Sequence, residues 1–167
     1  MQTGYKYAYA HNYDVAIQLD ADGQHNPAYL DTLTGELEEK KADMVVGTRY
    51  LKKEGFQSTF SRRLGKNIIT TLIKILTKTT ITDPTSGFRA CSKKAIKSFA
   101  DSYPHDYPEP ETVVELLTRK CKVVEVPVVM NERDGGVSSI TPLKSVYYMI
   151  KVSLAIVFSF ANNRKVR

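Results

Sequence analysis

With 167 residues, 42% of them hydrophobic and 25% charged, the chain can bury one real core, and its composition excludes a disordered, collagenous or disulfide-scaffold protein. Cys91 and Cys121 stand far apart, which excludes a cysteine metal cluster and suits a reducing compartment. The net charge of +6 is uneven: residues 1–48 carry three Lys against eight acids, residues 49–97 carry twelve Lys and Arg against Glu54 and Asp83, and residues 151–167 carry four basic side chains and no acid. So localised a basic block needs an anionic partner, such as lipid or a phosphorylated substrate. Aromatics are not interleaved with the basic residues as a base-stacking platform requires, so no nucleic-acid partner is expected.

In chain order, residues 2–11 read as the end of a helix and 14–19 as a strand. Residues 27–40 read as a helix with Pro27 in its first turn and Tyr29, Leu30, Leu33 and Leu37 on one face. The strand at 42–47 is apolar without alternation at Met44-Val45-Val46, the pattern of a strand covered on both faces. A helix follows over 58–77. Phe60, Leu64, Ile68, Leu72 and Leu76 recur every four residues, Ile69, Ile73 and Ile75 widen the stripe, and Arg62, Arg63, Lys66 and Lys74 lie off it. Such a basic amphipathic helix can lie in a membrane interface or pack on a core with a solvated basic face. Residues 88–91 read as a short strand and 92–100 as a helix. The stretch 101–110 holds three prolines and reads as irregular, with Glu109 and Glu111 extended. A helix over 112–120, a strand over 122–129, a polar Gly-containing loop over 131–139 and a helix over 142–160 complete the chain. This alternation predicts an α/β fold with a largely parallel sheet and helices on both faces.

Asp20-Ala21-Asp22 ends the first strand, where open α/β sheets bind ligands. As the backbone turns at Gly23, both carboxylates can converge on one hard cation. A Mg²⁺ or Mn²⁺ held by one or two carboxylates keeps positions for phosphate oxygens, and Gln24 adds a neutral oxygen ligand. The plain alternative is an Asp-rich turn before a helix. An EF-hand is excluded: its Gly belongs at the sixth position and its Glu at the twelfth, whereas Gly23 is fourth from Asp20 and Asp31 is twelfth. Arg49 closes the second strand, where a guanidinium can clamp a phosphate bidentately or pair with a neighbouring acid.

The segments DADGQHNPAYL, ADMVVGTRY, SRRLGKN, ITDPTSGFRA, YPEPE and VVEVPVVMNERDGGVSSI occur in that order. Together they resemble family 2 glycosyltransferases, of the branch of dolichol- and polyprenyl-phosphate sugar synthases, over about residues 1–150. The resemblance implies a partial nucleotide-diphospho-sugar transferase fold of the GT-A type. The first βα units of that pattern find no match here, which leads to the expectation that a separate amino-terminal segment completes the nucleotide crevice and that this chain alone is impaired.

The implied site follows residue by residue. Asp20 and Asp22 would bind the donor diphosphate with the metal. Arg133, Ser138 and Ser139 would close over the donor from a mobile loop. Arg49, Arg62, Arg63 and Asn67 would bind an acceptor phosphate. Asp83 would be catalytic, as a general base for a hydroxyl acceptor, or would position or shield if the acceptor is already an anionic lipid phosphate. Arg89 reads as a structural partner of Asp83 or as an acceptor-phosphate ligand. The implied activity is inverting transfer of a sugar from a nucleotide-diphospho-sugar to a membrane lipid phosphate. Residues 1–141 would form the catalytic domain and 142–167 an interfacial helix with a basic tail. The protein would be cytoplasmic and peripheral on an anionic membrane surface. The alternative is a noncatalytic fragment that binds a membrane or a partner.

Overall fold

A computed structural model describes residues 1–52, 60–131 and 142–165, and the side chains at 60–62, 142–146 and 165 lie outside that description. The helices are α1 (Gln2–Ala10), α2 (Leu30–Glu39), α3 (Phe60–Thr77), α4 (Lys93–Asp101), α5 (Pro108–Thr118) and α6 (Pro142–Lys165). The strands are β1 (Val15–Gln18), β2 (Met44–Thr48), β3 (Arg89–Ser92) and β4 (Val123–Pro127).

The four strands form one sheet in the order β1-β3-β2-β4. β2 and β4 pair in parallel, with Met44 opposite Val123 and Thr48 opposite Pro127. β3 enters reversed between β1 and β2, with Val15 opposite Ser92 and Met44 opposite Cys91. Three strands therefore share one direction, and the fourth makes the sheet mixed. Period-two alternation sends Val45, Ala90 and Val126 to one face, against Leu33 and Leu37 of α2. Met44, Val46 and Cys91 face the other way, onto a larger core with Ala95, Ile96 and Phe99 of α4 and Val113, Val114 and Leu116 of α5. Helices cover both faces, as the α/β pattern requires.

Two local expectations change. The prolines at 108 and 110 do not keep that segment irregular: α5 starts at Pro108. First-turn N–H groups have no intrahelical partner, so Pro there removes nothing. Glu109 and Glu111 are consequently helical, in the first turn, where carboxylates meet the positive end of the helix dipole. The four-residue stripe of α3 also divides. Ile69 and Ile73 are buried and Leu72 and Leu76 pack against the core, while Leu64, Ile68 and Ile75 are exposed.

α6 buries Val152 and Ile156 in the same core and leaves Tyr147, Ile150, Leu154 and Phe158 exposed. Where α3 meets it, a Cβ on Gly65 would stand 2.8 Å from the Met149 sulfur, so a larger residue there would displace that side chain. Among the described residues, no helix is long and apolar enough to cross a membrane.

Candidate active site

The carboxyl end of β1 leads into the Asp20–Gln24 turn, which Gly23 closes at φ 79°. Asp22 Oδ1 accepts the Gln24 N–H at 3.1 Å. Two further bonds tie this turn to the far end of the chain: the Asn131 N–H donates to the Gln24 carbonyl at 3.1 Å, and the Asn131 side-chain amide to the Gly23 carbonyl at 3.3 Å. His25 pins the turn from below. Its Nδ1 accepts the Asp20 N–H at 2.8 Å, and its ring stacks on Phe88 with centroids 5.0 Å apart. Burial pushes the imidazole below its usual pKa, against the upward pull of Asp20 and Asp22; Arg49 adds to the downward push and Asp83 opposes it. The neutral ring with Nδ1 as acceptor is the form this geometry needs.

Asp20 itself lies against Gly87. A Cβ there would meet Asp20 Oδ2 at 3.1 Å and Oδ1 at 3.2 Å, tighter than ordinary contact. Gly87→Ala is therefore expected to push the Asp20 carboxylate aside. That side chain is 49% exposed and can yield, so the melting temperature should hold while Mn²⁺ affinity falls about tenfold, or about 1.4 kcal/mol. Mn²⁺ titration followed by paramagnetic line broadening checks this; an unchanged affinity would mean Asp20 is not a ligand.

The second half of the site grows from the end of β2. Arg49 Nε donates to Asp83 Oδ2 at 3.1 Å, and the Thr85 hydroxyl donates to Asp83 Oδ1 at 3.2 Å. The Asp83 side chain is fully buried. In this arrangement the carboxylate faces Arg49 and Thr85 rather than solvent. Lys66 of α3 stands over the Tyr50 ring at 4.3 Å, and Arg49 lies over the same ring at 5.5 Å. Burial lowers the Lys66 ammonium pKa, Asp83 and Glu125 hold it up, and Arg49 presses it down. Arg49 also lines a hollow of about 80 Å³ with Lys52, Tyr29 and Pro127. A larger hollow of about 320 Å³ lies elsewhere, between α5 and α6, and shares none of these residues.

Arg89, read as a partner of Asp83 or an acceptor-phosphate ligand, lies inside the fold. It is 2% exposed and donates to the Ser86 carbonyl at 2.7 Å, the Pro84 carbonyl at 3.0 Å and the Thr112 hydroxyl at 2.7 Å. It braces the 84–88 loop on α5, and its hydrogen bonds go to neither Asp83 nor solvent. Arg63 and Asn67 are exposed on α3. The Arg62 side chain and all of Arg133, Ser138 and Ser139 lie outside the described residues.

Asp20, Asp22 and Gln24 thus share one turn. Among the described residues, no group of three or more His, Cys, Asp or Glu gathers as a metal cage. The donor set is two carboxylates and an amide oxygen, with His25 Nδ1 engaged elsewhere. Its chemistry fits a hard divalent cation that takes only one or two protein carboxylates. Lys66 and Glu125 were not singled out for these positions from sequence. A charged residue inside the apolar run Val123-Val124-Glu125-Val126 was the one available signal for Glu125, because a buried carboxylate needs donors.

The profile of "Glycosyl transferase family 2" matches residues 2–99, more than half of the chain. Similar curated proteins include the polyprenol monophosphomannose synthase of Mycolicibacterium smegmatis, 28% identical over 90% of this chain and 58% of the relative. Another is the UDP-N-acetylglucosamine--dolichyl-phosphate N-acetylglucosaminyltransferase of Methanococcus voltae, 29% identical over 75% of this chain and 51% of the relative. A third is the undecaprenyl-phosphate mannosyltransferase of Micrococcus luteus, 26% identical over 83% of this chain and 58% of the relative. The chain spans somewhat over half the length of these relatives. The strand-end carboxylate pair and the facing Arg–Asp station are therefore carried on a chain that belongs to glycosyl transferase family 2.

Proposed function

We propose that the chain carries the core of an inverting transferase that moves a sugar from a nucleotide-diphospho-sugar to a polyprenyl-type lipid phosphate. The observation that carries this reading is the joining of two stations. The Asp20–Asp22 turn and the Arg49–Asp83 pair meet through Gly87 and Phe88, against which Asp20 and His25 rest. One station is anionic and suited to a metal-bound diphosphate; the other is cationic and suited to a phosphate.

On this reading Asp20, Asp22 and Gln24 hold Mg²⁺ or Mn²⁺. That ion would neutralise the departing diphosphate. Arg49 and Lys66 bind the acceptor phosphate, with Arg62, Arg63 and Asn67 along α3 extending the same surface. Asp83 keeps the Arg49 fork aimed. Arg133, Ser138 and Ser139 complete the donor side. A phosphate acceptor is already anionic at neutral pH, so no side chain must remove a proton before attack, and no covalent enzyme intermediate is required. The acidic-free, partly apolar outer faces of α3 and α6 would rest on an anionic membrane, with the protein peripheral on its cytoplasmic face.

The expected result is weak Mn²⁺-dependent transfer of labelled sugar from a nucleotide sugar to a short prenyl phosphate. The assay is run with a panel of nucleotide sugars. Absence of both transfer and Mn²⁺-dependent nucleotide binding would remove the proposal.

A further inference from the structure

We infer that Glu125 is a positioning residue of this site: its carboxylate occupies the paired backbone N–H groups of Thr82 and Asp83 and so fixes the Asp83–Arg49 pair. The inference rests on the acceptor-side reading above. Glu125 lies in β4 opposite Val46, with Val123 and Val126 of the same strand buried. A carboxylate so placed costs free energy unless donors surround it. It has three. The Thr82 N–H reaches Oε2 at 2.7 Å, and the Asp83 N–H and the Thr82 hydroxyl reach Oε1 at 2.8 and 3.0 Å.

These bonds also set a direction. Because the Thr82 hydroxyl donates to Glu125, its oxygen is left to accept from the Thr48 hydroxyl 3.0 Å away. The Thr48 oxygen in turn accepts the Tyr50 N–H at 3.1 Å. A chain of donors thus runs from Tyr50 through Thr48 and Thr82 to Glu125. It spans the segment that carries Arg49 and the segment that carries Asp83. An ionised carboxylate is an acceptor on both oxygens, and this site needs acceptors on both. A glutamine cannot supply them: its amide nitrogen would face a backbone N–H or the Thr82 hydroxyl. Burial raises the Glu125 pKa, the hydrogen bonds it accepts from Thr82 and Asp83 lower it, and the Asp83 charge pushes it up.

The test compares the parent chain with Glu125→Gln. In ¹⁵N spectra of the parent, the Thr82 and Asp83 amides should lie downfield and exchange slowly, and the Arg49 Nε–H should give a sharp, protected signal. Ordinary shifts and fast exchange in the parent would overturn the inference without any variant. In Glu125→Gln the Arg49 signal should be lost, and the dissociation constant for geranyl phosphate should rise about tenfold, or about 1.4 kcal/mol. Mn²⁺-dependent binding of a nucleoside diphosphate should stay within about twofold. Formate should restore the Arg49 signal in Glu125→Ala by refilling the N–H pair. A parent-like Arg49 signal in Glu125→Gln overturns the inference, as does equal loss of both ligands with a lowered melting temperature. A parent that binds no geranyl phosphate defeats the functional reading, and the Arg49 signal still decides the role of Glu125.

Discussion

Asp22→Ala is expected to abolish Mn²⁺-dependent binding of a nucleoside diphosphate in calorimetry. On the proposed reading the change removes one of two anionic ligands, and it also removes the Oδ1 that accepts the Gln24 N–H, so the turn that would carry the other ligands is loosened as well. A cation that relies on one or two carboxylates has little in reserve. A loss of about a hundredfold or more, about 2.7 kcal/mol, follows. Asp14→Ala is the matching control. Asp14 sits just before β1 with an 87% exposed side chain and pairs only loosely with Lys93 at 3.6 Å, so its removal should leave the isotherm unchanged. Equal affinity in Asp22→Ala and the parent would take the metal away from this turn.

The second large effect concerns the membrane. The chain should sediment with anionic vesicles at low salt and release as salt rises. α3 and α6 contain no Asp or Glu, and Arg63, Lys74 and Lys151 are exposed on them. Leu64, Ile68, Ile150, Leu154 and Phe158 present apolar surface on the same two helices. Each basic side chain near an anionic surface contributes about 1 kcal/mol. Reversing Arg63, Lys74 and Lys151 to Glu should therefore remove binding to phosphatidylserine vesicles. Changing Leu154 and Phe158 to Ser should weaken it with less dependence on salt. If the triple reversal sediments like the parent, these helices face something other than a charged bilayer.

Much of this was legible in the sequence because it is local. Each strand lay within two residues of its expected place, and Met44-Val45-Val46 advertises burial on both faces. The carboxylate turn was legible for the same reason: Asp20, Asp22, Gly23 and Gln24 are adjacent, and a turn after a strand puts neighbours together. What escaped is non-local. Nothing near residue 89 announces that β3 runs backwards between two parallel neighbours, because strand direction is decided by pairing partners about 45 and 75 residues away. Arg89 read as a partner of Asp83 or as a phosphate ligand because a guanidinium beside Ser86 and Gly87 has the same residue code whether it faces solvent or braces a loop. Lys66 was read only as one of the basic residues off the apolar stripe of a helix that lies in a membrane interface or shows a solvated basic face. Only the packing of α3 brings it over Tyr50 and within the field of Asp83 and Glu125. The prolines at 108 and 110 misled in a different way: first-turn and interior helix positions look alike until the start of the helix is known.

The reversed strand has a consequence for how the molecule assembles. β3 begins at Arg89, directly after the loop that carries Asp83 and Gly87, and among the described residues it is the strand hydrogen-bonded to both β1 and β2. Among the described residues, the strand that leads into Asp20 and the strand that ends beside Arg49 each pair with β3 rather than with each other. Such distant pairings are formed late in folding, after the cost of closing long loops has been met. The two halves of the site are thus one cooperative unit, gained and lost together. Local opening that peels β3 away would erase both at a single stroke, whereas fraying of α1 or the end of α6 leaves them intact.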